Sequence, residues 1–335
     1  MKAIQEIIPL LAKPRKVVIT MHQKPDADAM GASLALYHFL VAKGHSVQVI
    51  SPTNWAQWVD WMPGAEKVMN YEKEKQAADE LLENTDWLFC LDYNIFHRTK
   101  YMAEKLAAIN CTKILIDHHR EPDTPSFDYG ISDTNKSSTC EMVYDFIKAA
   151  GEGEKITAAI GECIYAGVVA DTGSFRFAST TASVHQLVAD LKTKGLDHEK
   201  VHGFLFDNFL ENRLRFIGQV LQNRMEVFYE YNTVLMAVPK SDLVKYEIKT
   251  GDTEGLVNIP QSIQGIKLVA LVIDRDEERK WSFRSKGEFN CNQFARKYFE
   301  GGGHFNAAGG RSSESLEDAV KKFQKAMQEN KEQLQ

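Results

Sequence analysis

Short apolar runs rich in β-branched residues recur along the first half of the chain, and between them apolar residues fall at helical spacing. Val17-Val18-Ile19, Val47-Gln48-Val49-Ile50, residues 87–91 and Ile114-Leu115-Ile116 predict buried strands. Residues 30–40 predict a helix that stops near Gly44. Residues 4–12, 72–84, 101–109 and 140–149 predict further helices, the last one capped from Ser137-Ser138-Thr139. Strands alternating with helices predict an α/β domain: a parallel sheet with helices on both faces. From Arg224 the texture changes, and runs at 227–229, 233–238, 267–273 and 280–285 predict a smaller α/β domain on a mixed sheet. There, residues 274–279 read as a hairpin turn and 292–299 as a helix. The helical stretches before Arg224 predict a connector, so the expected divisions are 1–185, 186–224 and 225–335.

Composition narrows the classes. The 335 residues, 44% hydrophobic and 26% charged, describe a globular protein long enough for two domains. A net charge of −6 argues against a large nonspecific nucleic-acid surface and leaves room for a local phosphate grip. Five scattered cysteines without a C-x-x-C pair predict reduced thiols, not disulfides or zinc. No apolar run is long enough to span a bilayer and no signal-peptide h-region opens the chain, so a cytoplasmic setting without a membrane partner is expected. Trp55, Trp58 and Trp61, three apart, read as a buried helix stripe in preference to a base-stacking platform.

Candidate chemistry sits at the ends of the apolar runs. His22, Asp26 and Asp28 follow the first; Asp92 follows Leu91; Asp117, His118 and His119 follow Ile116; Asp171 follows the run 164–170. Loops at the carboxyl ends of parallel strands are where open α/β sheets bind ligands. Singly, Asp28 reads equally well as a helix cap, His22 as a polar loop residue and Asp117 as a loop anchor. Four such junctions together point to a pair of divalent cations held by carboxylates and imidazoles. Oxygen and imidazole donors without thiolate favour Mn²⁺, with Mg²⁺ the alternative. Near the C-terminus, Gly301-Gly302-Gly303-His304 and Gly309-Gly310 let backbone approach an anion, and a following helix start would aim amides at it. Arg284 on a neighbouring predicted strand adds a bidentate phosphate donor.

These residues carry a resemblance. H-Q-K-P-D-A-D-A-M-G-A-S, the strand-end Asp92, Asp117-His118-His119, Asp171-Thr172-Gly173-Ser174 and G-G-G-H-F-N-A-A-G-G together resemble the DHH/DHHA1 phosphoesterases, closest to the bacterial nano-RNase and pAp phosphatase group. The resemblance implies that His22 and Asp26 hold one cation, that Asp28, His118 and Asp171 hold the other, and that Asp92 bridges them. It implies that Asp117 orients its neighbouring histidine and that His119 faces the scissile phosphate. Arg284, Gly302, Gly303, His304 and Asn306 would hold the far end of the substrate. The implied activity is two-metal activation of water to trim short single-stranded oligonucleotides to mononucleotides and to release phosphate from 3′-phosphoadenosine 5′-phosphate (pAp). Alternatives are a linear or cyclic dinucleotide phosphodiesterase, an inorganic pyrophosphatase, and a nucleotide sensor without turnover. No stable protein partner is implied; a homodimer is compatible with the connector.

Overall fold

A computed structural model of the chain describes residues 1–249, 251–275 and 278–335, which form two compact units, Met1–Asn208 and Phe209–Gln335. In the first, seven strands form one parallel sheet: β1 (Lys2–Ala3), β2 (Lys16–Thr20), β3 (Ser46–Ser51), β4 (Met69–Asn70), β5 (Trp87–Leu91), β6 (Thr112–Asp117) and β7 (Tyr129–Ser132). Their order is β1-β7-β6-β5-β2-β3-β4, so the winding reverses between β2 and β5. The helices are α1 (Ala27–Ala42), α2 (Lys75–Glu83), α3 (Ala103–Ala108), α4 (Thr139–Ala149), α5 (Ala158–Asp171), α6 (Ala182–Thr193) and α7 (His198–Phe206). Side chains alternate across each strand. Val17, Ile19, Phe89 and Leu91 therefore pack with Leu36 of α1, Val143 of α4 and Ile164 of α5. Val18, Leu88 and Cys90 pack on the other face with Leu82 of α2 and Leu106 of α3. Burial on both faces is why these strands read as unbroken apolar runs.

The second unit contains α8 (Glu211–Asn223), β8 (Met225–Phe228), β9 (Thr233–Val238), α9 (Lys240–Lys245), β10 (Leu268–Arg275), β11 (Glu278–Ser285), α10 (Cys291–Tyr298), β12 (Gly302–Gly303), β13 (Ala307–Ser312), α11 (Leu316–Glu329) and α12 (Lys331–Leu334). Its mixed sheet runs β12-β13-β11-β10-β9-β8, parallel only between β9 and β10 among the described residues. Trp281 and Phe283 stack in one face with Phe299 and Phe323, and Val269 and Leu271 meet Phe216 and Val220 of α8 on the other. Arg275 pairs with Glu278 across the expected hairpin, whose residues 276 and 277 lie outside the described residues.

Four expectations change. The apolar run 164–170, grouped with the strand ends in the sequence, is part of helix α5, and continuous burial hides the distinction in sequence. The stretch 186–224 is divided: α6 and α7 belong to the first unit, α8 to the second. The three tryptophans lie on no common helix; they are half-buried around one short turn, Gln57–Val59, and Trp61 stacks on Phe204 at 5.0 Å. The glycine run does not open a helix. It forms β12 and the start of β13 at a sheet edge, and α11 begins only at Leu316. Among the described residues, no helix is long and apolar enough to cross a membrane.

Candidate metal centre

The reversal of winding between β2 and β5 leaves a crevice at their carboxyl ends, and chemistry-bearing residues fill it. His22 follows β2, Asp92 follows β5, and Asp117 ends β6 with His118 and His119 directly after it. Asp26 is the N-cap of α1; its Oδ1 accepts from the Asp28 and Ala29 amides at 3.0 and 3.1 Å. The cap is thus Asp26, which frees Asp28 to point inward from the first turn. Asp171 arrives from elsewhere, as the last residue of α5.

Asp92 is the common member. Its carboxylate shares one group with His22 and Asp26, a second with Asp28 and His118, and a third with Asp117 and His119, donor atoms lying within 4.8 Å in each. His22 Nε2 stands 3.8 Å from Asp26 and 3.4 Å from Asp92. His118 Nε2 stands 3.8, 3.5 and 3.4 Å from carboxylate oxygens of Asp28, Asp92 and Asp171. These separations exceed good hydrogen bonds. They set the imidazole nitrogens and carboxylates facing one another at 3.4–3.8 Å.

Other contacts fix the set. The α4 N-terminus serves Asp28: the Thr139 amide donates to Oδ2 at 2.7 Å and the Cys140 amide to Oδ1 at 2.9 Å, where a helix has unsatisfied N–H groups. Ser138 caps the same helix through the Glu141 amide at 3.0 Å, so the capping read from the sequence also aims the helix end at the cluster. Thr139 Oγ1 donates to Asp92 Oδ1 at 3.0 Å. Asp92 itself is left-handed, φ 61°, a conformation an aspartate tolerates, and its amide continues the ladder to Ile116. His22 Nδ1 sits 2.8 Å from the Gln23 carbonyl and His119 Nδ1 2.7 Å from Asp117 Oδ1, the kind of support that sets a histidine's tautomer.

Electrostatics record the crowding. Burial, then the charge of Asp92, pushes the Asp28 carboxyl up to about 7. Burial and the charge of Asp28 push Asp171 up as well. Asp92 goes the other way: burial opposes its charge, but the facing imidazoles of His118 and His22 hold it well below the usual carboxylate range. Against burial, Asp92 and Asp171 raise His118. A site that keeps protons on its carboxylates and imidazoles to relieve repulsion suits divalent cations as replacements. The donors are oxygen and imidazole only, so the residues fit such ions.

Thr139, Cys140 and Gly167 carry no charge to betray their place here. A Cβ on Gly167 would stand 2.3 Å from Cys140 Sγ, 2.6 Å from Asp28 Oδ1 and 2.9 Å from Asp28 Cα. Only glycine lets α5 approach α1 beside Asp28. Gly167→Ala should therefore destabilise the protein by about 1–3 kcal/mol through overpacking, despite alanine's helix propensity advantage of about 1 kcal/mol. Thermal denaturation checks it, and an unchanged midpoint would contradict the close approach.

In the second unit, Arg284 of β11 lies opposite Ala307 of β13, beside the glycine run. The His304 amide closes the turn onto the Ala307 carbonyl at 2.8 Å. Gly303 has φ 146°, and a Cβ there would meet the Ala307 carbonyl oxygen at 2.6 Å. Asn306 commits its amide to Ser285 Oγ and the Gly287 carbonyl, at 2.9 and 3.2 Å. Arg284 Nη1 donates to the Phe283 carbonyl at 3.0 Å.

The DHH family, N-terminal domain, matches residues 16–168, and the DHHA1 domain matches residues 231–330. This chain belongs to the DHH/DHHA1 family. A solved structure of an exopolyphosphatase-related protein from Bacteroides fragilis superposes with a TM-score of 0.94 at 36% identity, covering 98% of this chain and 97% of that one. Two proteins named bifunctional oligoribonuclease and PAP phosphatase are similar over almost the whole chain. The one from Thermus thermophilus is 29% identical, over 92% of this chain and 87% of its own. The one from Bacillus subtilis is 26% identical, over 91% of each.

Proposed function

We propose that this chain hydrolyses phosphoester bonds in short oligonucleotides, releasing mononucleotides, and in pAp, releasing AMP and phosphate. It is a hydrolase with DHH and DHHA1 domains whose relatives include enzymes named for both activities. The observation that carries the reading is a single buried carboxylate, Asp92, common to three donor groups at the point where the sheet's winding reverses.

In this reading His22 and Asp26 hold one divalent cation, Asp28, His118 and Asp171 hold the other, and Asp92 serves both. Mn²⁺ is preferred over Mg²⁺ because imidazoles share the donor set. When bound, such a pair supplies a nucleophile from water at neutral pH and offsets charge on the phosphoryl oxygens. The chain's own part is to hold and orient. Thr139 and the α4 amides keep Asp28 and Asp92 in place, and Asp117 fixes the ring of His119 toward the scissile phosphate. Burial lowers the His119 pKa although Asp117 opposes it, so the ring is largely neutral until a phosphate anion draws a proton to it. In the second unit Arg284, Gly302, Gly303 and His304 bind substrate phosphate, and Asn306 holds their loop. Five free cysteines, four of them buried, suit a reducing cytoplasm.

Purified protein with Mn²⁺ should release phosphate from pAp and shorten RNA dimers to pentamers, and a chelator should stop both. Pyrophosphate hydrolysis with neither of these would mark a pyrophosphatase. Turnover confined to dinucleotides would mark a phosphodiesterase, and tight nucleotide binding with no turnover a sensor.

A further inference from the structure

One cation at the centre has no place in the ligand set. Arg98 lies in the short turn Phe96–Met102 that follows Asp92. Its Nη1 reaches the Asp92 carbonyl oxygen at 3.4 Å, a long contact, and its own carbonyl accepts from the Gln23 amide at 2.8 Å. Its backbone is thereby tied to the residue after His22, and its guanidinium to the residue that supplies the shared carboxylate. Its charge is felt at both His22 and His119, lowering the basicity of two imidazoles that follow different strands. Five carboxylates stand in the same cluster, those of Asp26, Asp28, Asp92, Asp117 and Asp171, yet the guanidinium forms an ion pair with none of them. It is half-buried, and its Nε and Nη2 make no hydrogen bond among the described residues. An arginine beside so many anions ordinarily collapses onto one; this one is held off by its turn, with donors to spare.

We propose that Arg98 is a phosphate-binding residue, donating to non-bridging oxygens of the phosphoryl group that the cluster attacks. The inference rests on the phosphoesterase reading above and names a further residue for that site. Charge makes the need plain. Five carboxylates facing two divalent cations leave the cluster one negative charge in excess, which repels an anionic substrate. Arg98 removes that excess. A guanidinium also presents two parallel N–H groups to a phosphate, which a lysine cannot do. The turn keeps it close to Asp92 with Nε and Nη2 uncommitted among the described residues, so these donors are available when phosphate arrives.

The test uses the full chain loaded with Mn²⁺. In Arg98→Ala, Mn²⁺ stoichiometry should match wild type. Inorganic phosphate, titrated calorimetrically into the Mn²⁺-loaded protein, should bind about 10–100-fold more weakly, the loss expected for charge-assisted hydrogen bonds. With pAp, kcat/KM should fall by at least the same factor. Arg98→Lys should recover only part of the loss, and added guanidinium ion should partly restore the alanine variant, which a role confined to the Asp92 carbonyl would not allow. Phosphate affinity and kcat/KM unchanged in Arg98→Ala would overturn the proposal, as would loss of Mn²⁺, since Arg98 would then act through Asp92. Wild-type protein that binds phosphate through Arg98 but hydrolyses no phosphoester would sink the functional reading and leave this one standing.

Discussion

Asp92→Asn should fold, and it should lose turnover of pAp by about 10³-fold or more, as expected when several kcal/mol of metal-derived stabilisation is withdrawn. Asparagine keeps the shape of the side chain, and its carbonyl oxygen still accepts from Thr139 Oγ1, so the contact at 3.0 Å survives. What disappears is the charge common to three donor groups. His22 and His118 both lean on that charge for their basicity, and both cations share it in the proposed arrangement. Metal analysis of the purified variant should give fewer than two Mn²⁺ per chain, with the near-ultraviolet circular dichroism of wild type. A variant that kept two ions and activity within tenfold of wild type would show that the ions do not share Asp92. The alanine variant would be a poorer probe, because it leaves Thr139 Oγ1 unpaired in a buried place.

Much of this centre is legible before any coordinates, for a physical reason. Parallel strands buried on both faces must be written as continuous apolar runs, and Val17-Val18-Ile19, 87–91 and Ile114-Leu115-Ile116 stand out from charged surroundings. Polar residues directly after such runs have few places to go except the carboxyl edge of the sheet, where His22, Asp92 and His118 lie. Asp171 obeys a different logic. Its apolar run is helical, buried all round, and its register toward the cluster is set by the α1–α5 crossing at Gly31 and Gly167, where a Cβ would strike Cys163 or Asp28. Close approach between distant residues leaves no periodic mark in a sequence. The same holds for Thr139 and Cys140, which act through backbone amides that any residue could supply. In the second unit, the glycines at 301–310 read as a phosphate loop before a helix, yet they form a sheet edge, because glycine marks close backbone approach without saying to what. Arg98 shows the limit most plainly: a charged residue in a turn is unremarkable until its neighbours are known.

The metal-free protein should lose stability as pH rises from 4 to 8, and Mn²⁺ should abolish that loss. Asp28 ionises near 3.8 in an unfolded chain but keeps its proton to about 7 in the folded site, held there by burial and by Asp92. Above pH 4 the unfolded state therefore releases the proton first, and unfolding is favoured on the order of 4 kcal/mol by pH 7. Asp171 is raised by burial and by Asp28 and acts in the same sense. The raised pKa of His118, where Asp92 and Asp171 outweigh burial, contributes stability that is complete below the imidazole's ordinary 6.5 and is lost as pH climbs through the folded value. Asp92 is depressed, so its contribution is lost only in acid, below this window. A bound cation takes carboxylates ionised and imidazoles neutral, which makes its affinity rise with pH as these protons leave. Thermal denaturation with chelator and with saturating Mn²⁺, at pH 5 and pH 8, reads the difference directly. The midpoint shift produced by Mn²⁺ should be larger at pH 8 by roughly 10 °C, the equivalent of a few kcal/mol in a unit of this size. Equal shifts at the two pH values would mean that the five carboxylates already coexist ionised without a cation, and the crowding that suits this cluster to divalent cations would have to be explained by something else.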